Sequence, residues 1–155
     1  MKALHKKDFP RGTENILVVD DDKAIVKLLK IVLESLGYKT TCESCPKEAL
    51  TLFTKQPHHY DLVITDYEMT PINGFQLASS ISRIRPGIPI LAHTGSPARA
   101  YRHTVFQNVM EKPISLKGIA VTIRQALDYS PVSPENASIS NSISANHRKN
   151  SKSVL

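Results

Sequence analysis

The sequence predicts an α/β fold: an open, parallel, five-stranded sheet with helices on both faces. Two observations carry this reading. Short continuous apolar runs alternate five times with segments whose apolar residues recur at helical spacing. Several of the apolar runs also stop abruptly at a polar residue, as strands buried on both faces do where they reach the edge of the sheet.

The elements follow in order. Ile16–Val19 is the first run and halts at Asp20. Ile25, Leu28, Leu29, Val32, Leu33 and Leu36 fall on one helical face, and Gly37 supplies the stop. Tyr38–Glu43 reads as the second strand. Pro46 opens a helix to about Lys55, at the first position where proline is favoured, with Ala49, Leu50 and Phe53 turned inward. Leu62–Thr65 is the third strand, halted by Asp66. Leu77, Ala78, Ile81 and Ile84 define a third helix that Arg85-Pro86-Gly87 ends. Ile88–His93 is a fourth strand, with Pro89 near its start. Residues 97–104 leave room for about two turns of helix, so the fourth helix is expected to be short. Val105–Met110 is the fifth strand, and Leu116, Ile119, Ala120, Ile123 and Leu127 make an amphipathic last helix.

Composition narrows the class. The 155 residues are 41% hydrophobic and 22% charged, ordinary for one domain. No run of 18 apolar residues occurs, and the start, MKALHKKDFPR, lacks the apolar core of a secretory signal. A cytoplasmic protein is expected. The net charge is +6, but residues 1–14 hold four basic against two acidic side chains and residues 130–155 three against one. The excess is mostly terminal, without a dense basic block or interleaved aromatics, which argues against a nucleic-acid surface. Three regions are expected: a flexible leader over 1–14, a compact domain over 15–129, and a disordered tail over 130–155, whose Ser, Asn and Pro cannot bury enough surface to order it.

The chemistry-bearing residues sit at predicted strand ends. Strand one ends in Asp20-Asp21-Asp22, strand three in Asp66, strand four in Thr94-Gly95, and strand five leads to Lys112-Pro113. In open parallel sheets ligands bind outside the carboxyl ends of the strands. Carboxylates gathered there repel one another and call for a cation, and hard oxygen ligands with open positions suit Mg2+, which bridges to phosphate oxygens. A lysine, a hydroxyl and backbone N–H groups opposite such an ion complete a phosphate site. Asp22 is expected to cap the first helix. Cys42 and Cys45 are too few and too isolated for a zinc site and lack the fold context of a redox pair. His58-His59 reads as a solvated helix end, and His93 as a packed strand residue able to reach the cleft.

ILVVDDD (Ile16–Asp22), DLVITDYEMTPINGFQLA (Asp61–Ala78), ILAHTG (Ile90–Gly95) and EKP (Glu111–Pro113) together resemble response-regulator receiver domains, over roughly residues 15–128. The resemblance implies a flavodoxin-like doubly wound sheet of strand order 2-1-3-4-5. It implies that Asp66 accepts a phosphoryl group from the phosphohistidine of a sensor or hybrid histidine kinase. It further implies Mg2+ held by Asp21, by Asp20 directly or through water, by Asp66, and by the backbone carbonyl of Glu68. Lys112 would pair with Asp66 or its phosphoryl oxygens, and Thr94 would turn its hydroxyl toward the phosphate. Such a module is a phosphoacceptor with self-catalysed phosphorylation and dephosphorylation, not an enzyme in the usual sense.

The sequence departs from the family pattern in three places. Met69-Thr70-Pro71 displaces the proline of the usual Met-Pro by one residue, Val109 stands where an aromatic switch residue is usual, and Thr94 to Lys112 spans only 18 positions. The last two bear on signalling, since the fourth helix and its neighbouring strand form the usual output face. A non-switching, partner-binding module is therefore the alternative function. An acid-pair phosphatase is disfavoured, because Asp66-Tyr67-Glu68 lacks the second aspartate of an Asp-x-Asp pair. No DNA-binding output domain is expected after residue 129, so the effect would pass by contact with an unidentified downstream protein. Arg11–Asn15 resembles the junction before a receiver in a hybrid kinase.

Overall fold

The computed structural model describes residues 9–129. The expected tail over 130–155 and the first eight residues of the expected leader lie outside the described residues. Ten elements alternate along the chain: β1 (Asn15–Val19), α1 (Lys23–Ser35), β2 (Lys39–Glu43), α2 (Pro46–Lys55), β3 (Leu62–Thr65), α3 (Gly74–Ile84), β4 (Ile90–Thr94), α4 (Pro97–Ala100), β5 (Asn108–Glu111) and α5 (Leu116–Asp128). The strands form one parallel sheet in the order β2-β1-β3-β4-β5, as expected. The fourth helix is a single turn. No helix among the described residues is long and apolar enough to cross a membrane.

Successive strand side chains alternate between two cores, because the pleat has a period of two. On one face Leu17, Val19, Val63, Ile90, Ala92 and Val109 pack with Ala49 and Phe53 of α2, Leu77, Ala78 and Ile81 of α3, and Ala100 of α4. On the other, Ile16, Val18, Leu62, Ile64, Leu91 and Met110 meet Leu29 and Leu33 of α1 and Ile119, Ala120 and Ile123 of α5. The central strands are apolar throughout because both faces are covered.

Local signals set the helix ends. Asp22 accepts a hydrogen bond from the Ala24 N–H at 2.8 Å and caps α1, as expected. Asn73 and Gln76 form a reciprocal capping box at the start of α3. Gly74, the first residue of that helix, lies against the backbone of the Asp66–Tyr67 peptide, and a Cβ placed there would stand 2.8 Å from the Tyr67 Cα. A Gly74→Ala chain is therefore expected to lose about 1–3 kcal/mol of stability by overpacking. Urea unfolding measures this; an unchanged midpoint would show that the loop after Asp66 yields freely.

Three expectations are corrected. β5 begins at Asn108 and not at Val105. Its pairing with β4 starts at Leu91 opposite Asn108, while the Phe106 N–H closes a turn on the His103 carbonyl at 3.3 Å. β4 begins at Ile90, since Pro89 has no N–H to give and only its carbonyl reaches the sheet, accepting from the Val63 N–H at 3.0 Å. Leu28 and Ile84, assigned to apolar helix faces, are exposed at 56% and 39%. Leu28 lies at the margin of its stripe, where the helix turns away from the sheet, and Ile84 is the last residue of α3.

Candidate functional site

The sheet register gathers the polar residues. Val19 stands opposite Thr65, Thr65 opposite Ala92, and Thr94 opposite Glu111. The residues that follow therefore emerge together at the carboxyl edge. Main-chain bonds hold this edge: Asp66 N–H donates to the Val19 carbonyl (2.8 Å) and Lys112 N–H to the Thr94 carbonyl (2.9 Å).

The Lys112 ammonium donates to Asp20 Oδ2 at 2.8 Å and to Asp66 Oδ1 at 3.2 Å. Asp20 Oδ1 also accepts from the Asp22 N–H at 2.9 Å. Asp20 is 1% exposed and Asp66 7%, whereas Asp21 is open to solvent. One carboxylate oxygen from each of Asp20, Asp21 and Asp66 lies within 4.8 Å of the others. Among the described residues no other group of three acids, histidines or cysteines comes together in this way.

Burial raises the Asp66 carboxyl above its ordinary range and Asp20 adds to this; Lys112 works against both without cancelling them. Burial likewise works to depress Lys112, but Asp20 and Asp66 outweigh it, and the ammonium titrates above its usual value. One cation thus shares two buried anions, and the site is short of positive charge. Three oxygen donors, two of them on buried carboxylates, form a donor set that fits a hard divalent cation such as Mg2+.

The remaining predicted residues fall as follows. Thr94 is buried at the end of β4, and its Oγ1 accepts from the Ser96 N–H at 3.0 Å, leaving its own proton free. The Glu68 side chain leaves the cluster and pairs with Arg99 at 3.5 Å. The Thr70–Pro71 and Lys112–Pro113 peptides are both cis. His93 is packed at 5% exposure, and burial, then Lys112, pull its pKa down to about 4. With Lys112 it lines an apolar groove of about 430 Å³ between α1 and α5. Cys42 and Cys45 are free thiols, and burial raises the first, which disfavours its thiolate. His58 and His59 lie in the turn after α2.

Sequence reasoning missed one cluster beside the site. The Tyr67 hydroxyl and His103 Nε2 share a hydrogen bond of 3.1 Å, and Phe75 stacks on the same imidazole with ring centroids 3.8 Å apart. Adjacency of Tyr67 to Asp66 was the only local hint. Nothing near His103 in the chain signals a partner 36 positions away.

The sequence matches the response regulator receiver domain family over residues 16–126. The transcriptional regulatory protein GlrR of Escherichia coli is 32% identical over 121 residues, a match spanning 75% of this chain and 27% of GlrR. The aerobic respiration control sensor protein ArcB of the same organism is 25% identical over 132 residues, spanning 81% of this chain and 17% of ArcB. Among solved structures, the response regulator protein TrrA of Thermotoga maritima in complex with Mg2+-BeF is 30% identical, with a TM-score of 0.68, covering 74% of this chain and all of that one. The chain belongs to the response regulator receiver family of two-component systems. It spans about a quarter of GlrR or less of ArcB, whose other parts have no counterpart in the match.

Proposed function

We propose that the protein is a phosphoacceptor: Asp66 takes a phosphoryl group from a phosphohistidine on a sensor or hybrid histidine kinase. The observation that carries this reading is the Lys112 ammonium shared by Asp20 and Asp66 at 2.8 and 3.2 Å, with Asp21 beside them. A carboxylate oxygen of Asp66 forms the new O–P bond as the donor's N–P bond breaks, and the departing imidazole nitrogen keeps the electron pair and is protonated from solvent. Lys112 neutralises charge on the transferred oxygens, and the Thr94 hydroxyl has a proton to donate to one of them. Asp20, Asp21, Asp66 and the Glu68 backbone carbonyl would hold Mg2+, which supplies the remaining charge neutralisation when bound.

The role is regulatory, in the cytoplasm, with the state of Asp66 passed on by contact with a downstream protein. The site works as a module over residues 15–129. Transfer replaces the single carboxylate charge of Asp66 with a phosphoryl group bearing about two, so the product depends on Lys112 and on a bound divalent cation for neutralisation. Incubation of the full chain with acetyl phosphate and Mg2+ should give a phosphoryl mass gain that EDTA prevents. A chain that gains no such mass, from acetyl phosphate or from a phosphorylated kinase, is a binding module and not an acceptor.

A further inference from the structure

Two side-chain links leave the residues just after Asp66 and end on the segment between β4 and β5. The first is the Glu68–Arg99 ion pair at 3.5 Å, whose side chains are 49% and 68% exposed, so solvent leaves it little strength. The second is half-buried and better built. The Tyr67 hydroxyl meets His103 Nε2 at 3.1 Å, and their rings run nearly parallel, 21° apart with centroids at 5.9 Å. Phe75 covers the imidazole, and Phe106 lies tilted against Tyr67 at 6.2 Å. These rings bridge β3 and α3 to the chain that enters β5.

That chain needs such a link. Residues 101–107 form turns rather than a regular element, anchored at Gln107, whose N–H donates to the Ile90 carbonyl at 2.9 Å. α4 is one turn long, and between the buried Ala100 and Phe106 the chain has no regular element to fix its path. Val109, buried against the α2–α3–α4 core, has neither an aromatic ring nor a polar end to turn between positions. On the other side, Tyr67 follows Asp66 directly in the chain, and its carbonyl accepts from the Gly74 N–H at 2.9 Å. Phosphorylating the Asp66 carboxylate replaces one charge with about two on phosphoryl oxygens, which draw Lys112 and nearby N–H groups toward them and so alter the surroundings of the Tyr67 backbone.

We propose that Tyr67 and His103 are the positioning pair through which the state of Asp66 reaches the α4–β5 segment, in place of an aromatic on β5. This rests on the phosphoacceptor reading. When Asp66 is modified, Tyr67 moves with its peptide, its hydroxyl carries His103, and the turn over residues 101–107 follows. Phe75 and Phe106 confine the motion to a slide within the stack.

The test uses Mg2+ with beryllofluoride as a phosphoryl mimic, read by amide NMR on the full chain, its Tyr67→Phe variant and its His103→Phe variant. Both variants keep a ring in place and lose only the hydrogen bond. In the parent, amides at residues 20–22 and 94–96 should shift together with those at 99–107. In each variant the first two groups should shift as in the parent, while the shifts at 99–107 fall at least twofold. Undiminished shifts at 99–107 in both variants, or none there in a parent whose site amides respond, overturn the inference and leave the acceptor reading intact. A parent whose site amides do not respond overturns both.

Discussion

An Asp66→Asn chain will fold, gain no phosphoryl mass from acetyl phosphate and Mg2+, and melt higher than the parent when divalent cations are absent. The amide has the shape of the carboxyl but no nucleophilic anion, so transfer stops. Stability rises because the parent holds Asp66 ionised at 7% exposure, beside Asp20, with a single lysine between them. Lys112 keeps its shorter bond, to Asp20 at 2.8 Å, in the variant. The gain should be about 1 kcal/mol, or roughly 4 °C in Tm. The sign with pH follows from the direction of the shift. The Asp66 carboxyl titrates higher in the folded than in the unfolded chain, because burial resists its charge. Folding therefore takes up a proton in the window between the two values, and the parent recovers stability on acidification. The advantage of the variant should be full at pH 7 and shrink as the pH falls through the folded titration range. Mg2+ should raise the parent's Tm more than the variant's, since a ligand stabilises the state that binds it. An Asn variant that melts well below the parent at pH 7 would contradict this account of the charge balance.

Removing the lysine should act in the opposite direction. A Lys112→Met chain keeps the apolar stem that lines the groove between α1 and α5 and loses only the ammonium. Asp20 and Asp66, with side chains 2% and 8% exposed, are then left buried without a cation. Breaking a buried pair from one side typically costs about 3–5 kcal/mol; partial exposure of Lys112 places this case near the lower figure. Without the lysine the Asp66 carboxyl lies higher still, so the deficit should be largest at pH 7 and narrow as the pH falls. Phosphoryl gain should drop at least tenfold, as the charge on the transferred oxygens loses its protein counter-ion. Chemical unfolding at pH 7 and at lower pH, with and without Mg2+, reads the first effect. A deficit under about 1 kcal/mol that does not change with pH would mean that the lysine only decorates the edge.

Much of this molecule was legible before folding was considered. Runs such as Ile16–Val19 and Leu62–Thr65 could be strands because apolar continuity is a local property of the chain, and the acids that end them are equally local. Asp22 as a cap, Pro46 as a first helical residue and the brevity of α4 were set by nearest neighbours and by available length. Asp20, Asp21, Asp66 and Lys112 could be placed in one cleft because parallel strands share a carboxyl edge, a rule that needs topology alone. What followed only from tertiary structure depends on distances between parts remote in the chain. Where β5 starts was decided by its register with β4, and the exposure of Leu28 by the tangent at which α1 meets the sheet. That Lys112 divides itself between two aspartates, leaving the site short of positive charge, depends on contacts across 92 and 46 positions. The bond from Tyr67 to His103 joins residues whose local sequence gives neither a reason to meet, because a single long-range contact leaves no periodicity to read.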